Sequence, residues 1–310
     1  MTGPTVREVS EDEWRRRIAA ARQVLPFGAP PWPEVGLAGR DDLTPVPLAV
    51  RVPGAGELLL PVFRRPGRRA QLGCFGYGMA HPAADWAGGA LPDFEVLAAL
   101  VGTAAGVSAV STLLPPAGAV AELDRIAGHW RSSEGRATYL LDATGGADAV
   151  WRRARGSART AVRRAARLGL RARPAADADA VVVARLYRDT MARNGAGAPL
   201  GEPHFRTLLA GGAAGTVAAV AADAAGEAHA AAVFARHADT AYHLFQVTSA
   251  DGRRTNAGQL AFWHALDRLC HDGVSTVDLG AASAEGQEFF KTSWGGRARP
   301  TRRIDWARPT

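Results

Sequence analysis

The chain has 310 residues, 47% hydrophobic and 22% charged, the composition of a folded chain long enough for about two domains, which excludes a disordered polymer. Its formal charge of +7 and pI near 10.3 favour an anionic partner such as nucleic acid, a nucleotide or anionic lipid. No apolar run approaches the ~18 residues that cross a bilayer, which excludes integral membrane association, and the first ten residues have no apolar export core, so a cytoplasmic location is expected.

Taken in chain order, a helix is expected over 11–23, then a turn in which Pro26, Pro30, Pro31 and Pro33 surround Trp32. Strands follow at 46–52, 57–63 and 70–75, separated by Gly/Pro turns. A helix at 92–103, a strand at 107–113, a helix at 120–128 and a strand at 137–141 complete the first half. The polar, Gly-rich run from Asp142 to Asp148 reads as a boundary, giving domains of 1–145 and 146–310. The second half opens with helices at 149–168, 178–193 and 202–209. Three antiparallel strands at 215–222, 228–236 and 240–246 come next. A helix at 256–271 capped by Asn256, a strand at 274–279, a helix at 284–292 and a strand at 302–306 close the chain. Each half is an α+β pattern with mixed sheets flanked by helices.

The cations are unusual. Of the 37 basic residues, 36 are arginine and one is Lys291, in Phe289-Phe290-Lys291-Thr292-Ser293-Trp294 just beyond the 274–279 strand. Chance survival under a GC-rich coding bias would explain a lone lysine. A position that needs a compact point charge, where a planar guanidinium does not fit, would also explain it. Nine arginines and no acids fall in 152–173, and Arg155, Arg159, Arg163 and Arg167 share one helical face at i, i+4 spacing. Like charges so spaced disfavour a helix by roughly 0.2–0.5 kcal/mol per pair. The stripe is a solvated face, a face paired with acids elsewhere in the chain, or a surface for nucleic-acid phosphates, with the small residues Ala154, Ala158, Ala161 and Ala165 opposite too slight for membrane insertion. Cys74 and Cys270 match no metal spacing and read as buried thiols. No metal site is expected.

Four passages carry a family likeness. They are Tyr139-Leu140-Leu141-Asp142 with the arginine-rich helix and Leu168-Gly169-Leu170; Leu186 to Gly195 with Pro203-His204-Phe205; Tyr242 to Val247 with Asn256-Ala257-Gly258; and Val277-Asp278-Leu279-Gly280 with Phe290-Lys291 and Trp294-Gly295. In this order and spacing the second half resembles the FemAB-like branch of the GNAT acyltransferase superfamily, which includes aminoacyl-tRNA-dependent peptidyltransferases. The first half matches in outline, as the other member of a tandem GNAT pair. The long helical insertion of some cell-wall Fem ligases has no counterpart in the spacing, so no long coiled coil is expected.

The resemblance implies an acyltransferase with a groove between splayed strands, where a helix N-terminus meets the anionic part of the donor. CoA-dependent relatives place a Gln/Arg-x-x-Gly-x-Gly/Ala turn there. This chain has Arg253-Arg254-Thr255-Asn256-Ala257-Gly258, with Asn256 at the first glycine, which favours aminoacyl-tRNA over acyl-CoA as co-substrate and requires no further cofactor. The acceptor is then a small amine or peptide, free or carrier-bound, in peptide natural-product or cell-wall biosynthesis. On this reading Lys291 is the electrostatic group near a phosphate or oxyanion, Asp278 orients the amine or caps the turn at Gly280, and Tyr242 and Gln246 project from one sheet face at i, i+4. Phe290 and Trp294 wall the site, Arg193 and Asn194 end a helix facing it, and Tyr77, in Gly-Cys-Phe-Gly-Tyr-Gly, lines an acceptor cleft. Arg155, Arg159, Arg163 and Arg167 would bind tRNA. An acyl-CoA-dependent N-acyltransferase and a non-catalytic RNA- or partner-binding module stay open as alternatives.

Overall fold

A computed structural model describes residues 3–23, 25–128, 130–210 and 215–309. Two compact units emerge, Met1–Arg136 with Pro300–Thr310, and Ala137–Arg299.

The first unit contains β1 (Thr5–Glu8), α1 (Glu11–Ala20), α2 (Trp32–Leu37), β2 (Thr44–Pro45), β3 (Leu48–Val52), β4 (Gly56–Leu60), β5 (Val62–Arg65), β6 (Arg69–Leu72), β7 (His81–Pro82), α3 (Phe94–Ala104), β8 (Ala109–Leu114) and α4 (Ala121–Ala127). The second contains most of β9 (Ser133–Asp142), then α5 (Gly146–Arg153), α6 (Gly156–Arg167), β10 (Arg171–Pro174), α7 (Ala180–Arg193), α8 (Glu202–Ala210), β11 (Thr216–Ala222), β12 (Ala228–His237), β13 (Thr240–Thr248), α9 (Ala250–Thr255), α10 (Ala257–His271), β14 (Thr276–Ala281) and α11 (Glu285–Ser293). The unit break falls within β9 and again within β15 (Arg297–Ala307). Most of β15 belongs with the first unit, whereas the sequence pattern assigns it to the second half, because Arg302 to Ala307 pair antiparallel with Leu114 to Ala109 of β8.

In the first unit one sheet runs β1-β3-β4-β7 and a second runs β15-β8-β6-β5-β2. The expected single strand at 57–63 is two strands. Pro61 has no N–H to donate, so the ladder stops there. The chain before it pairs with β3 and the chain after it with β6. Helix α1 starts where Ser10 accepts a hydrogen bond from the Glu13 N–H at 3.3 Å, and Glu11, Asp12 and Glu13 complement the dipole.

In the second unit the strand order is β10-β11-β12-β13-β14-β9. Alanines face α10 from β11 and β12 (Ala219, Ala221, Ala230, Ala232), and their small side chains let Phe262, Leu266 and Leu269 of that helix sit directly on the sheet. Trp294 stacks on Trp263 with centroids 5.6 Å apart and planes 1° from parallel, and its indole N–H donates to Gln259 Oε1 at 2.8 Å. The expected helix at 149–168 is two helices. Ala154 and Arg155 take extended backbone angles, the Arg155 N–H donates to the Ser293 carbonyl at 2.8 Å, and Ala154 is buried at the break. Among the described residues the longest helix is α10, with 15 residues, and no helix is long and apolar enough to cross a membrane.

Candidate active site

The groove of the second unit is made by two strands that part. Strands β13 and β14 run parallel, but only Thr240–Tyr242 and Thr276–Asp278 pair. Beyond Asp278 the chain turns through Gly280 at φ +73°, a left-handed conformation that side chains disfavour. The strands then diverge around a groove of about 990 Å³ lined by β13, β14, the α9–α10 junction and the ends of α7 and α11. Lys291, Phe290, Gln246, Arg193, Asn194 and Asn256, expected from sequence as site residues, all line it.

One end of the groove is cationic. Helix α7 ends at Arg193, whose guanidinium donates to the Thr248 carbonyl at 3.2 Å and to Thr190 Oγ1 at 3.3 Å. Burial and the neighbouring charge of Arg253 pull the Arg193 pKa down. Two like charges held near one another favour an anion between them. Helix α10 begins beside them, and the N–H groups of Ala257 and Gly258 belong to its first turn, which has no intrahelical acceptors. Asn256, at φ +62° and ψ 28°, ends α9 and starts α10. Its left-handed backbone does what the first glycine of a Gly-x-Gly turn does, since asparagine tolerates that region. Asn256 in place of the glycine therefore presents no conformational obstacle to acyl-CoA.

Helix α9, unforeseen in the sequence, is placed by a polar clamp. The Ser249 hydroxyl accepts from the Gly252 N–H at 2.9 Å, and the Ser249 N–H donates to the His229 carbonyl at 2.9 Å. The His229 ring lies between Ser249 Oγ at 3.4 Å and Asp223 Oδ2 at 3.1 Å, and this contact holds the Asp223 carboxyl below its ordinary range. With Glu227, these two residues form the group of metal-ligand type among the described residues. Glu227 also lies 3.6 Å from Arg185. The arrangement serves to tie the β11–β12 turn to α9 and so to Arg253.

The other end holds Lys291. Its ammonium donates to the carbonyls of Gly280 at 2.8 Å and Ala281 at 2.6 Å, and sits 5.8 Å above the Tyr139 ring. Lys291 is only 7% exposed, and a Cβ at Gly280 would lie 3.7 Å from Nζ. The space suits a point charge, not the wider guanidinium fork. Beside it, burial and then the Lys291 charge push the His243 pKa down to about 3, so the imidazole is neutral at physiological pH. His243 Nε2 and Gln246 Oε1 are buried and make no close hydrogen bond, while the Gln246 side chain and the Phe245 and Leu279 backbone interact with the imidazole and partly offset the lowering of its pKa.

His243 reaches the groove through a bulge. Val233 pairs with Phe245 but Phe234 pairs with His243, so Leu244 is an extra residue. The alternation of faces slips by one at that point. Ala241 and His243 face α10, with the imidazole 5.3 Å from Phe262. Gln246 faces α10 as well, donating from Nε2 to the Gly258 carbonyl at 3.0 Å. Tyr242, between Ala241 and His243, points to the opposite side. The expectation that Tyr242 and Gln246 share a face is overturned by this inserted residue.

The remaining expected residues lie off the groove lining. Tyr242 is buried, and desolvation followed by the Asp278 charge raises its pKa. Asp278 is buried, and its Oδ1 accepts from Thr138 Oγ1 and from the Gly280 N–H at 2.8 Å. It caps the turn that opens the groove. Trp294 is in the core. Tyr77 is buried in the first unit. Arg155 precedes α6 as its N-cap with its guanidinium 6.0 Å from the Phe289 ring, and Arg163 lies 5.6 Å from the Trp151 ring. Among the described residues, Arg155, Arg159, Arg163 and Arg167 enter no ion pair with a carboxylate, and three of them are exposed.

The segment whose strands splay beside a helix N-terminus is similar to GNAT acetyltransferase domains. Residues 152–292 match the family model described as an acetyltransferase (GNAT) domain. The chain as a whole has a tandem GNAT, Fem-type fold. It is similar to the crystal structure of FemX (TM-score 0.64, 12% identity, 97% of each chain covered). It is also similar to a tandem GNAT protein from the clavulanic acid biosynthesis pathway (0.53, 14%, 99% of each chain) and to L-PGS from Bacillus licheniformis (0.52, 14%, 82% of each chain). No curated protein matches the chain.

Proposed function

We propose that the groove of the second unit transfers an aminoacyl group from aminoacyl-tRNA to the amine of a small molecule or peptide, free or carrier-bound, in cell-wall or peptide natural-product biosynthesis. The observation that carries this reading is the division of the groove into an anion-attracting end (Arg193, Arg253, the start of α10) and an end where Lys291, His243 and Gln246 meet. The arginines of α6, which meet no carboxylate among the described residues, add a surface suited to a polyanion, and the likeness to a FemAB-type fold points the same way.

The chemistry is aminolysis. The acceptor nitrogen attacks the ester carbonyl carbon, the carbonyl oxygen takes up negative charge, and the bond to the ribose oxygen breaks as the amide forms. The proton lost by the amine goes to the leaving ribose hydroxyl. An ester is already activated, so no covalent enzyme intermediate is needed. The groove contributes positioning, worth several kcal/mol, and a positive potential from Lys291 in a shielded place. His243, kept neutral by burial and by Lys291, accepts a hydrogen bond from the amine in the tautomer that leaves Nε2 unprotonated. Asp278 works at one remove by fixing Gly280, and thus the carbonyl that Lys291 grips.

One observation favours an acyl-CoA donor instead: Asn256 takes the left-handed backbone, with Arg253 and Gly258 at the spacing of the CoA turn. The two readings separate in one experiment. The protein is incubated with candidate amines and either charged tRNA or acetyl-CoA, and the acceptor mass is followed. An aminoacyl increment from charged tRNA supports the proposal. An acetyl increment with none from tRNA contradicts it and supports the CoA reading. Binding without turnover from either donor supports a non-catalytic module.

A further inference from the structure

The first unit holds a cavity of its own, about 330 Å³, between β1, α1, α2 and β5, within the size range of small-molecule sites. Its chemistry is one-sided. Five of its fifteen lining residues are prolines, which bring rigid apolar surface and no N–H. Trp14, Leu37 and Phe63 extend the apolar wall. The charged lining residues are Glu8, Glu11 and Glu34 against Arg15, three negative and one positive, a net −2 within a chain of +7. Arg15 is already engaged, by Glu11 at 2.6 Å and by Glu34 Oε1 at 3.0 Å. The Ser10 oxygen is used to cap α1. Glu34 Oε2 is buried and has no hydrogen-bond partner. Its other oxygen is held by Arg15 and the side chain is 33% exposed, so Oε2 has capacity for a further donor.

We propose that this cavity binds a small organic cation: a primary ammonium carried on an apolar aliphatic or aromatic body, the ammonium on Glu34 Oε2 and the body against Trp14 and Phe63. An ammonium supplies a donor for Glu34 Oε2 and offsets the excess negative charge, while Trp14 and Phe63 give apolar surface and a ring face that attracts cations. The proposal holds whichever donor the second unit uses.

The test is calorimetric titration of the full chain with 2-phenylethylammonium and with its neutral counterpart, 2-phenylethanol. The expected result is saturable binding of one equivalent of the amine, tighter than the alcohol by about tenfold or more. Glu34→Gln removes that preference, and Leu37→Trp, which fills the cavity, removes binding of both probes. An amine bound instead by the second unit keeps its affinity in both variants, which overturns the proposal. Equal affinity for the two probes, or no saturable binding of either, overturns it as well. If Glu34→Gln fails to fold because Arg15 loses one of its two carboxylates, the exposed Glu8→Gln is measured. Its preference for the amine falls severalfold if the site is cationic and stays unchanged if it is not.

Discussion

Among the described residues each unit contains one parallel strand pair that registers over three residues and then parts, and the two pairs meet opposite fates. In the first unit β6 and β8 pair at Arg69–Gln71 and Ala109–Ser111. The space beyond is filled by backbone. The Gly78 N–H donates to the Leu113 carbonyl at 3.0 Å, its carbonyl accepts from Thr112 Oγ1 at 2.6 Å, and a Cβ on Gly78 would stand 1.7 Å from the Leu72 oxygen. In the second unit the space beyond Tyr242 and Asp278 is left open and lined by polar and charged side chains such as His243, Gln246 and Lys291. One strand plan thus yields a closed structural element in one unit and a groove in the other. The difference is set by the segment that leaves the first strand of each pair: a loop that folds back between the strands, or a helix start held to one side.

The largest effect that would sharpen this contrast is on stability. Gly78→Ala has no room for its methyl between two backbones and is expected to destabilise the first unit by more than about 4 kcal/mol, read by denaturant unfolding. A near-neutral result would mean that the closure is loose. The second effect is on turnover. Lys291→Met is expected to lower kcat about a hundredfold or more with far-ultraviolet dichroism unchanged. Lys291→Arg is expected to be impaired as well, because the space beside Gly280 suits an ammonium. Near-normal activity in Lys291→Arg would remove the geometric role assigned to that lysine.

A third effect concerns the arginine stripe. Replacing Arg159, Arg163 and Arg167 with Gln is expected to flatten the dependence of log affinity for tRNA on log salt by about 0.7–0.9 per lost phosphate contact. An unchanged slope makes the stripe a solvated face. The smallest effect is a pH dependence. His243 has its pKa depressed in the folded chain, so between its ordinary value and about 3 the unfolded chain binds the extra proton. Its contribution to stability is present above the ordinary histidine range and is lost as pH falls through that window. His243→Phe is expected to reduce the acid-side slope by up to about 1.4 kcal/mol per pH unit. Lys291→Met is expected to move the His243 titration upward, as followed by NMR of the ring protons.

Much of the groove was legible in the sequence because its residues come in recognisable local company. Phe290-Lys291, the helix end at Arg193-Asn194 and the strand end at Asp278-Leu279-Gly280 each carry the signal over a few residues. What was hidden depends on register and on single backbone choices. His243 looked like one isolated histidine among several, since only the inserted Leu244 turns it toward α10 beside Gln246. The same insertion separates Tyr242 from Gln246, which regular alternation would have put together. Pro61 sits inside one continuous apolar run in the sequence, yet its missing N–H divides two strands. The break at Ala154-Arg155 has no proline to announce it, because it is made by packing and by a hydrogen bond to Ser293 far along the chain. Asn256 was weighed as a lost glycine, yet its backbone adopts the glycine's conformation.

The donor's anionic part is expected where Arg193 and Arg253 flank the start of α10, in the second unit. The most direct test is the steady-state kinetics of the Arg193→Ala/Arg253→Ala double variant with charged tRNA and a fixed acceptor. Two charge-assisted contacts at about 1.5–3 kcal/mol each predict a rise of about a hundredfold or more in the donor KM. The acceptor KM should stay within about twofold, since remote charges at the donor end do not touch it. An unchanged donor KM, or a rise confined to the acceptor, would contradict the account.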